Sequence, residues 1–225
     1  MHVIVGIPVH NDIQSFKETV KSILNSTEHP YEIFIVESES NDGCTEYCDY
    51  LVMRYPHIKV LHTKKEGPTK AYNHIFKYAK DQKKDLLLCQ TDVIFQKLYL
   101  GDWLSALADS AHRHDSVTIP VNGGGYSGED YLIDFLWFGG WCTFIPANIV
   151  QKINGFDENY PQGYGVDIDL SYQITQMGHK IQQLNFVVYH HENNAREHDN
   201  DPDTEKHKQE CARYFRKKHK LGEFK

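Results

Sequence analysis

Four short polar segments follow apolar, strand-like runs in this 225-residue sequence. Ligands of open α/β sheets bind beyond the carboxyl ends of the strands, so polar side chains gathered there predict a ligand-binding edge. Each segment alone is also typical of a turn, because Asn, Asp, Ser and Gly favour turns for local reasons. The segments are Pro8 with His10 and Asn11, residues 37–43, residues 64–67, and Gln90-Thr91-Asp92.

The elements that must position these segments alternate between strands and helices. Runs rich in Val, Ile and Leu predict strands, and the segments between them carry apolar residues at helical spacing. Strands this apolar indicate a mostly parallel α/β sheet with helices on both faces. Up to residue 120 the pattern is that of a doubly wound nucleotide-binding half. The predicted strands are residues 3–9, 31–38, 58–63, 85–90 and 116–120.

The second half of the chain is less regular. We expect a glycine-rich loop at 121–130, an aromatic strand at 137–146 and a helix that begins near Val166 and stops at Gly178. The run 181–190 predicts one further strand. Three parts of a single domain are predicted: a nucleotide-binding half (1–120), a less regular second part (121–203) that ends in a polar loop at 191–203, and a basic terminal helix (204–225).

The charge, the apolar runs and the cysteine content of the sequence exclude several classes of protein. The formal net charge of −7 argues against a surface that binds nucleic-acid phosphates. No run approaches the ~20 apolar residues of a transmembrane helix, and the N-terminus lacks the pattern of a signal peptide, so we expect a cytoplasmic protein. The five cysteines are odd in number and scattered, which favours reduced thiols over disulfides or a metal site at Cys44 and Cys48.

The ordered motifs resemble those of family 2 glycosyltransferases. These motifs are VIVGIPVHN, EIFIVESESNDGC, EGPTKAYN, LLLCQTDVIF, INGFDENYPQGYGVDIDL and VVYHH. They occur in the order and at the spacings of that family, from residue 2 to about residue 192. The resemblance implies a GT-A fold, a Rossmann-like α/β architecture, and a nucleotide-diphosphate sugar as donor. It also implies an acceptor that is a carbohydrate or another hydroxyl compound, and it makes residues 121–203 the acceptor-side and catalytic subregion, whose polar loop 191–203 could act as a lid.

The resemblance assigns the donor site residue by residue. The positions that match the family's nucleoside-binding segments are Pro8, Glu37, Asp42, Gly67, Ala71 and Asn73. Glu37 replaces the usual aspartate, and its extra methylene shifts the expected contact towards a ribose hydroxyl. Lys70 is not typical of the family, but a cation in the first turn of that helix could reach a donor phosphate; a solvated lysine is the alternative.

The resemblance also implies a metal site at Gln90-Thr91-Asp92. The family's DxD motif stands here, with Gln90 in place of the first acid, which leaves Asp92 as the metal ligand and Thr91 beside the donor. Mn²⁺ or Mg²⁺ can be held by one carboxylate together with phosphate oxygens and water. His190 is the expected second ligand and His191 the alternate, because neighbouring strand residues point to opposite faces. A nitrogen ligand favours Mn²⁺.

The resemblance places the general base at Asp167. Val166 replaces the glutamate that the family usually has before this aspartate. In inverting relatives the aspartate removes the proton of the acceptor hydroxyl, and an acid in a first helical turn can alternatively serve only to stabilise the helix. Asp169 is expected to contact the acceptor or cap the helix. Gly140 and Trp141 match positions close to the sugars.

These residues predict a metal-dependent glycosyltransferase that transfers a sugar, expected from a UDP donor, with inversion at the anomeric carbon. Two alternatives remain open: a retaining transferase of the same fold, and a nucleotide-sugar-binding module that has lost catalysis, as Gln90 and Val166 would indicate. Residues 204–225 carry many lysines and arginines, which could make weak contact with an anionic membrane; a solvated helix is the alternative.

Overall fold

The computed structural model describes residues 2–98, 101–126, 136–160, 163–190 and 203–222. Its strands are β1 (Val3–Val9), β2 (Tyr31–Ser38), β3 (Ile58–Thr63), β4 (Asp85–Cys89), β5 (Val93–Ile94), β6 (Ser116–Pro120), β7 (Gly124–Tyr126), β8 (Leu136–Phe138), β9 (Cys142–Ile145), β10 (Lys180–Leu184) and β11 (Tyr189–His190). Its helices are α1 (Ile13–Ser26), α2 (Cys44–Arg54), α3 (Pro68–Gln82), α4 (Trp103–His114), α5 (Ala147–Val150), α6 (Val166–Gln176) and α7 (Thr204–His219).

A seven-stranded sheet forms the centre of the protein, in the order β10-β6-β9-β4-β1-β2-β3. β1 pairs in parallel with both β2 and β4, and β2 pairs in parallel with β3. β9 is antiparallel to β4 and β6. The sheet is therefore mostly parallel, as predicted, and the polar segments after β1, β2 and β4 lie at one edge.

Alternating side chains of the strands enter two separate core layers. Val3, Val5 and Ile7 of β1 pack into the layer that includes residues of α1, α2 and α4, whereas Ile4 packs into the layer that includes residues of α3, α5 and α6. Gly6 also faces α3, and a Cβ atom at this position would lie 2.1 Å from Cγ2 of Ile75. Gly6 thus permits the close approach of α3 to the central strand.

The second half departs from the prediction in two places. Residues 137–146 form two strands, β8 and β9, because the segment of Gly139, Gly140 and Trp141 turns the chain between them. Residues 181–190 also form two strands, and the chain leaves the central sheet after β10. The side-chain amide of Asn122 donates to the carbonyl of Val188 (2.7 Å) and so holds the diverging segment.

The short strand β11 pairs with β5 instead of the central sheet. This antiparallel pair places His190 opposite Val93 and Tyr189 opposite Ile94. Since β5 begins directly after Asp92, the pairing brings His190 to the end of β4.

The terminal helix α7 packs against the protein through an apolar face. Cys211 and Phe215 are fully buried in a small cluster with Tyr160 and Ile168. The predicted solvated helix is therefore docked along one side. All five cysteines are free and buried. Within the described ranges, no helix has both the length and the apolar character needed to cross a membrane.

Candidate active site

The side chains of Asp92 and His190 face each other in a buried position at the sheet edge. Asp92 is 4% exposed, and its Oδ1 atom lies 3.3 Å from Nε2 of His190. Neither atom has an aligned hydrogen-bond partner among the described residues. Buried polar atoms of proteins nearly always have a partner, so this pair calls for an additional group between or beside them.

A divalent cation fits this pair of atoms. Carboxylate oxygen and imidazole nitrogen are both common metal ligands, and two ligand atoms held at about 2.0–2.1 Å from one ion lie about 3 Å apart when they are adjacent in its coordination shell. The ring of Trp141 stacks on His190 with centroids 4.5 Å apart and planes inclined by 2°. This stacking fixes the imidazole. No cluster of three or more metal-binding side chains occurs in the described part of the chain, so two protein ligands are available.

A second acid, Asp12, lies beside this pair and was not predicted from the sequence. Its carboxylate accepts hydrogen bonds from Ser15 Oγ (2.7 Å) and Thr91 Oγ1 (3.3 Å). Burial, with a contribution from the charge of Asp92, raises the pKa of Asp12 in spite of these hydrogen bonds. The hydroxyl of Thr91, predicted to border the donor, is thus engaged with Asp12. Its sequence position, directly after the polar segment that ends β1, could have indicated Asp12 as a site residue.

The predicted base Asp167 lies in the first turn of α6. The turn begins after Gly165, whose φ of +73° is a conformation that glycine adopts readily. Burial raises the pKa of Asp167 to about 6, while the backbone N–H groups of Ile168 and Gly140 act in the opposite direction. The carboxyl is therefore mainly ionised at neutral pH and has the proton affinity of an effective base.

The hydroxyl of Tyr72 lies near both Asp92 and Asp167 and was not predicted from the sequence. Burial raises the pKa of Tyr72, and the charges of Asp92 and Asp167 raise it further. Both carboxylates are therefore close enough to act on one hydroxyl group. This hydroxyl donates to the carbonyl of Gly140 at 3.1 Å.

The acids predicted to contact the nucleoside organise the loop that follows β2. Oε1 of Glu37 accepts from the backbone N–H of Ser40 (2.7 Å), and Oε2 lies 2.9 Å from Nδ1 of His62. Asp42 accepts from the backbone N–H groups of Ile13 (2.7 Å) and Cys44 (3.1 Å). The loop is thus fixed to the starts of α1 and α2, and both carboxylates already have partners within the protein.

The other predicted donor residues divide into edge positions and one structural residue. Pro8 pairs with Val36 at the end of β1, Gly67 precedes α3 with φ +88°, and Lys70 is exposed in the first turn of α3. Asn73 differs: its amide donates to the carbonyl of Phe156 (2.9 Å) and accepts from the same residue's N–H (2.8 Å). Asn73 therefore holds the 155–158 segment on α3, and its contact with the donor stays a prediction.

Asp169 has several partners within the protein. It is fully buried, and its oxygens accept from Lys218 Nζ (2.8 Å) and Gln173 Nε2 (2.6 Å) and contact His219 Nε2 (2.7 Å). The Tyr160 hydroxyl donates to it as well (3.0 Å). With these partners, Asp169 anchors α7 to the helix that carries Asp167. Its contact with an acceptor stays a prediction.

A family model described as "Glycosyl transferase family 2" matches residues 4–157. The chain belongs to glycosyl transferase family 2. A curated relative, the uncharacterized glycosyltransferase YibD of Escherichia coli (strain K12), is 32% identical over 69 residues, which cover 31% of this chain and 20% of YibD. The family 2 assignment agrees with the resemblance seen in the sequence motifs. The chain thus spans about a fifth of the length of this relative.

Solved structures share the fold of this family 2 chain. A mannosyltransferase, PcManGT from Pyrobaculum calidifontis in complex with GDP-Man and Mn²⁺, has a TM-score of 0.63 at 15% identity over 81% of this chain and 54% of its own. TarS 1–349 of S. aureus in complex with UDP-GlcNAc has a TM-score of 0.58 at 20% identity over 83% and 57% of the two chains. At these identities the likeness establishes the GT-A fold alone.

Some predicted features of the family 2 chain lie outside the described residues. They are the alternate ligand His191, most of the predicted lid at 191–203, and residues 127–135 of the acceptor-side loop. Among the described acceptor-side residues, Gly140 adjoins both Tyr72 and Asp167, and Trp141 covers His190. The candidate site therefore extends from Asp92 to the start of α6.

Proposed function

We propose that this chain is a metal-dependent glycosyltransferase that moves a sugar from a nucleotide-diphosphate donor to a hydroxyl acceptor with inversion. The observation that carries the proposal is the buried pair of Asp92 Oδ1 and His190 Nε2, 3.3 Å apart at the sheet edge, neither of which has a hydrogen-bond partner among the residues that the structure describes. Family membership supports it, and so does a second carboxylate, Asp167, whose charge acts on the same Tyr72 hydroxyl as that of Asp92.

Asp92 and His190 would hold the cation. Mn²⁺ is the proposed ion, because one ligand is a nitrogen and because the mannosyltransferase with this fold was solved with Mn²⁺. When bound, the ion supplies positive charge that stabilises the departing diphosphate. Trp141 keeps the imidazole in place, and Asp12 and Thr91 fix the turn from which Asp92 projects.

Asp167 would act on the acceptor. As the acceptor oxygen forms its bond to the anomeric carbon, the bond from that carbon to the donor diphosphate breaks on the opposite face. The proton of the acceptor hydroxyl passes to the carboxylate of Asp167. A pKa of about 6 keeps the carboxylate ionised at neutral pH and makes it a stronger base than an ordinary aspartate.

The donor would lie along the edge formed by the ends of β1, β2 and β4. The nucleoside is placed against Pro8 and the loop that Glu37 and Asp42 hold in shape, with Gly67 leaving room for it and Lys70 in reach of a phosphate. We propose a UDP sugar as donor, which the TarS complex with UDP-GlcNAc supports. Gly140 and Trp141 would border the transferred sugar and its carbohydrate or other hydroxyl acceptor.

Two substitutions separate the proposed roles. Asp92→Asn should abolish Mn²⁺-dependent binding of UDP, measured by titration calorimetry with and without MnCl₂. Asp167→Asn should bind UDP like the wild type and lose transfer by about 10²- to 10⁴-fold, the usual contribution of a general base. Asp81→Asn, the same change at an exposed carboxylate of α3, is the matched control and should alter neither quantity.

Transfer is followed as UDP release from a panel of UDP sugars with an array of oligosaccharide acceptors. An Asp167→Asn variant with undiminished turnover would refute the base assignment. NMR of the product reports its anomeric configuration, and retention would replace the inverting mechanism. Wild-type protein that binds UDP and Mn²⁺ but releases no UDP from any donor would indicate a binding module.

A further inference from the structure

Tyr72 lies close to both halves of the candidate site, since the charges of Asp92 and Asp167 both raise the pKa of its hydroxyl. It lies in the first turns of α3, is 6% exposed, and packs edge-on against Phe156 with ring centroids 5.3 Å apart. The aromatic ring of Tyr72 therefore has a clear role in core packing. The hydroxyl needs a separate explanation, because a phenol group buried among apolar residues is costly unless its hydrogen bonds are satisfied.

The Tyr72 hydroxyl connects two segments that are distant in sequence. It donates to the carbonyl of Gly140 at 3.1 Å, and the side chain of Gln90 lies close enough to lower the pKa of the same hydroxyl. Gln90 lies two residues before Asp92. The backbone reinforces this connection, since the N–H of Gln90 donates to the carbonyl of Trp141 at 3.1 Å.

Gly140 continues the connection to the base. The backbone N–H groups of Gly140 and Ile168 both lower the pKa of Asp167, and the N–H of Ile168 donates to its carboxylate at 2.9 Å. One glycine therefore receives the Tyr72 hydroxyl at its carbonyl and contacts Asp167 through its amide. Without a side chain, this glycine depends on such hydrogen bonds to fix its orientation.

We propose that Tyr72 is a positioning residue that holds Asp167 at a set place relative to Asp92, by tying Gly140 to the end of β4. The inference rests on the proposed function, because it gives Asp92 and Asp167 their roles. Tyr72 itself touches neither the reacting atoms nor the cation in this scheme. It acts through Gly140 and Gln90.

Tyr72→Phe tests the hydroxyl while it retains the ring. Loss of one positioning hydrogen bond should lower kcat about tenfold and leave the donor KM within about twofold of the wild type. The weakened Gly140 contact should raise the pKa of Asp167, so the acidic limb of the kcat profile should move to higher pH. Tyr78→Phe is the matched control: it removes a hydroxyl from the same helix, where Tyr78 contacts Glu32 and Lys59.

A second measurement does not depend on turnover. NMR of protein labelled with ¹³C at aspartate carboxyl groups follows the titration of Asp167, and the signal lost in Asp167→Asn assigns it. The pKa of Asp167 should rise in Tyr72→Phe and stay unchanged in Tyr78→Phe. Gln90→Met, which removes the side-chain amide that acts on the same hydroxyl, should cause a smaller rise and keeps the test decisive if Tyr72→Phe does not fold.

The outcomes separate the inference from the function on which it rests. Unchanged titration of Asp167 in both Tyr72→Phe and Gln90→Met overturns the positioning role, even if kcat falls together with thermal stability. A shifted titration with a kcat effect and a constant KM supports it. Wild-type protein that transfers sugar from no donor refutes the proposed function, and the NMR titration alone then decides whether Tyr72 positions Asp167.

Discussion

Replacing Lys218 with methionine removes the cation that joins the terminal helix α7 to two acidic side chains. Its Nζ atom lies 2.7 Å from Oδ2 of Asp157 and 2.8 Å from Oδ2 of Asp169. Asp169 is fully buried, and it lies two residues after Asp167 on α6. Methionine retains most of the apolar length of lysine, so the substitution tests the charge.

The expected loss in the free energy of unfolding follows from the contacts of Lys218 with Asp157 and Asp169. Burial would raise the pKa of Asp157, but hydrogen bonds from Lys218 and Asn159 and the lysine charge lower it from 3.8 to about 2. That change is equivalent to roughly 2 kcal/mol in favour of the ionised form, part of it supplied by Asn159. Breaking a buried ion pair costs about 3–5 kcal/mol, and the remaining contact of Asp169 with His219 reduces this figure. We expect a loss of about 2–4 kcal/mol in the free energy of unfolding.

Thermal unfolding measured by circular dichroism or dye fluorescence provides the assay. In a chain of this size the loss corresponds to a decrease in Tm of about 5–15 °C. Lys217→Met, at the neighbouring exposed position, is the control and should melt within about 2 °C of the wild type. Because the pKa of Asp157 is lowered in the folded state, its contribution is present above pH 4 and is lost as the pH falls towards about 2. Equal melting of the two variants at pH 7 would refute the anchoring role.

Two further predictions concern the core and the protein surface. Gly6→Ala should destabilise the protein by about 1–3 kcal/mol, because its Cβ atom would lie 2.1 Å from Cγ2 of Ile75; urea denaturation measures this, and a loss below about 0.5 kcal/mol would contradict the close packing. The exposed residues Lys206, Lys208 and Arg213 could contact an anionic membrane. Their combined replacement by Gln should reduce cosedimentation with phosphatidylserine vesicles, and binding equal to that of the wild type would exclude this contact.

The sequence determined most of the central sheet. Apolar runs gave β1, β2, β3 and β6 with the limits seen in the structure, and β4 ended one residue earlier than predicted. Strands buried on both faces require such runs, so the pattern is local and readable. The polar segments after these strands then had to share an edge, which is why Asp92 could be placed in the site before its neighbours were known.

Contacts between distant segments could be read only from the tertiary structure. Alternation along a strand indicates that His190 and His191 point to opposite faces, but only the pairing of β11 with β5 places His190 beside Asp92. Likewise, nothing local in the sequence shows that the hydroxyl of Tyr72 reaches Gly140, 68 positions later.

The role of a carboxylate depends on what the rest of the chain brings to it. Asp167 and Asp169 lie on one turn of helix and look equally suited to chemistry in the sequence. The docking of α7 gives Asp169 a lysine and a histidine, whereas Asp167 is left with backbone N–H groups and a pKa raised to about 6. Composition and periodicity fix which residues are buried and where strands end. The surroundings of each charge, and hence its proton affinity, are set only when segments far apart in the chain come together.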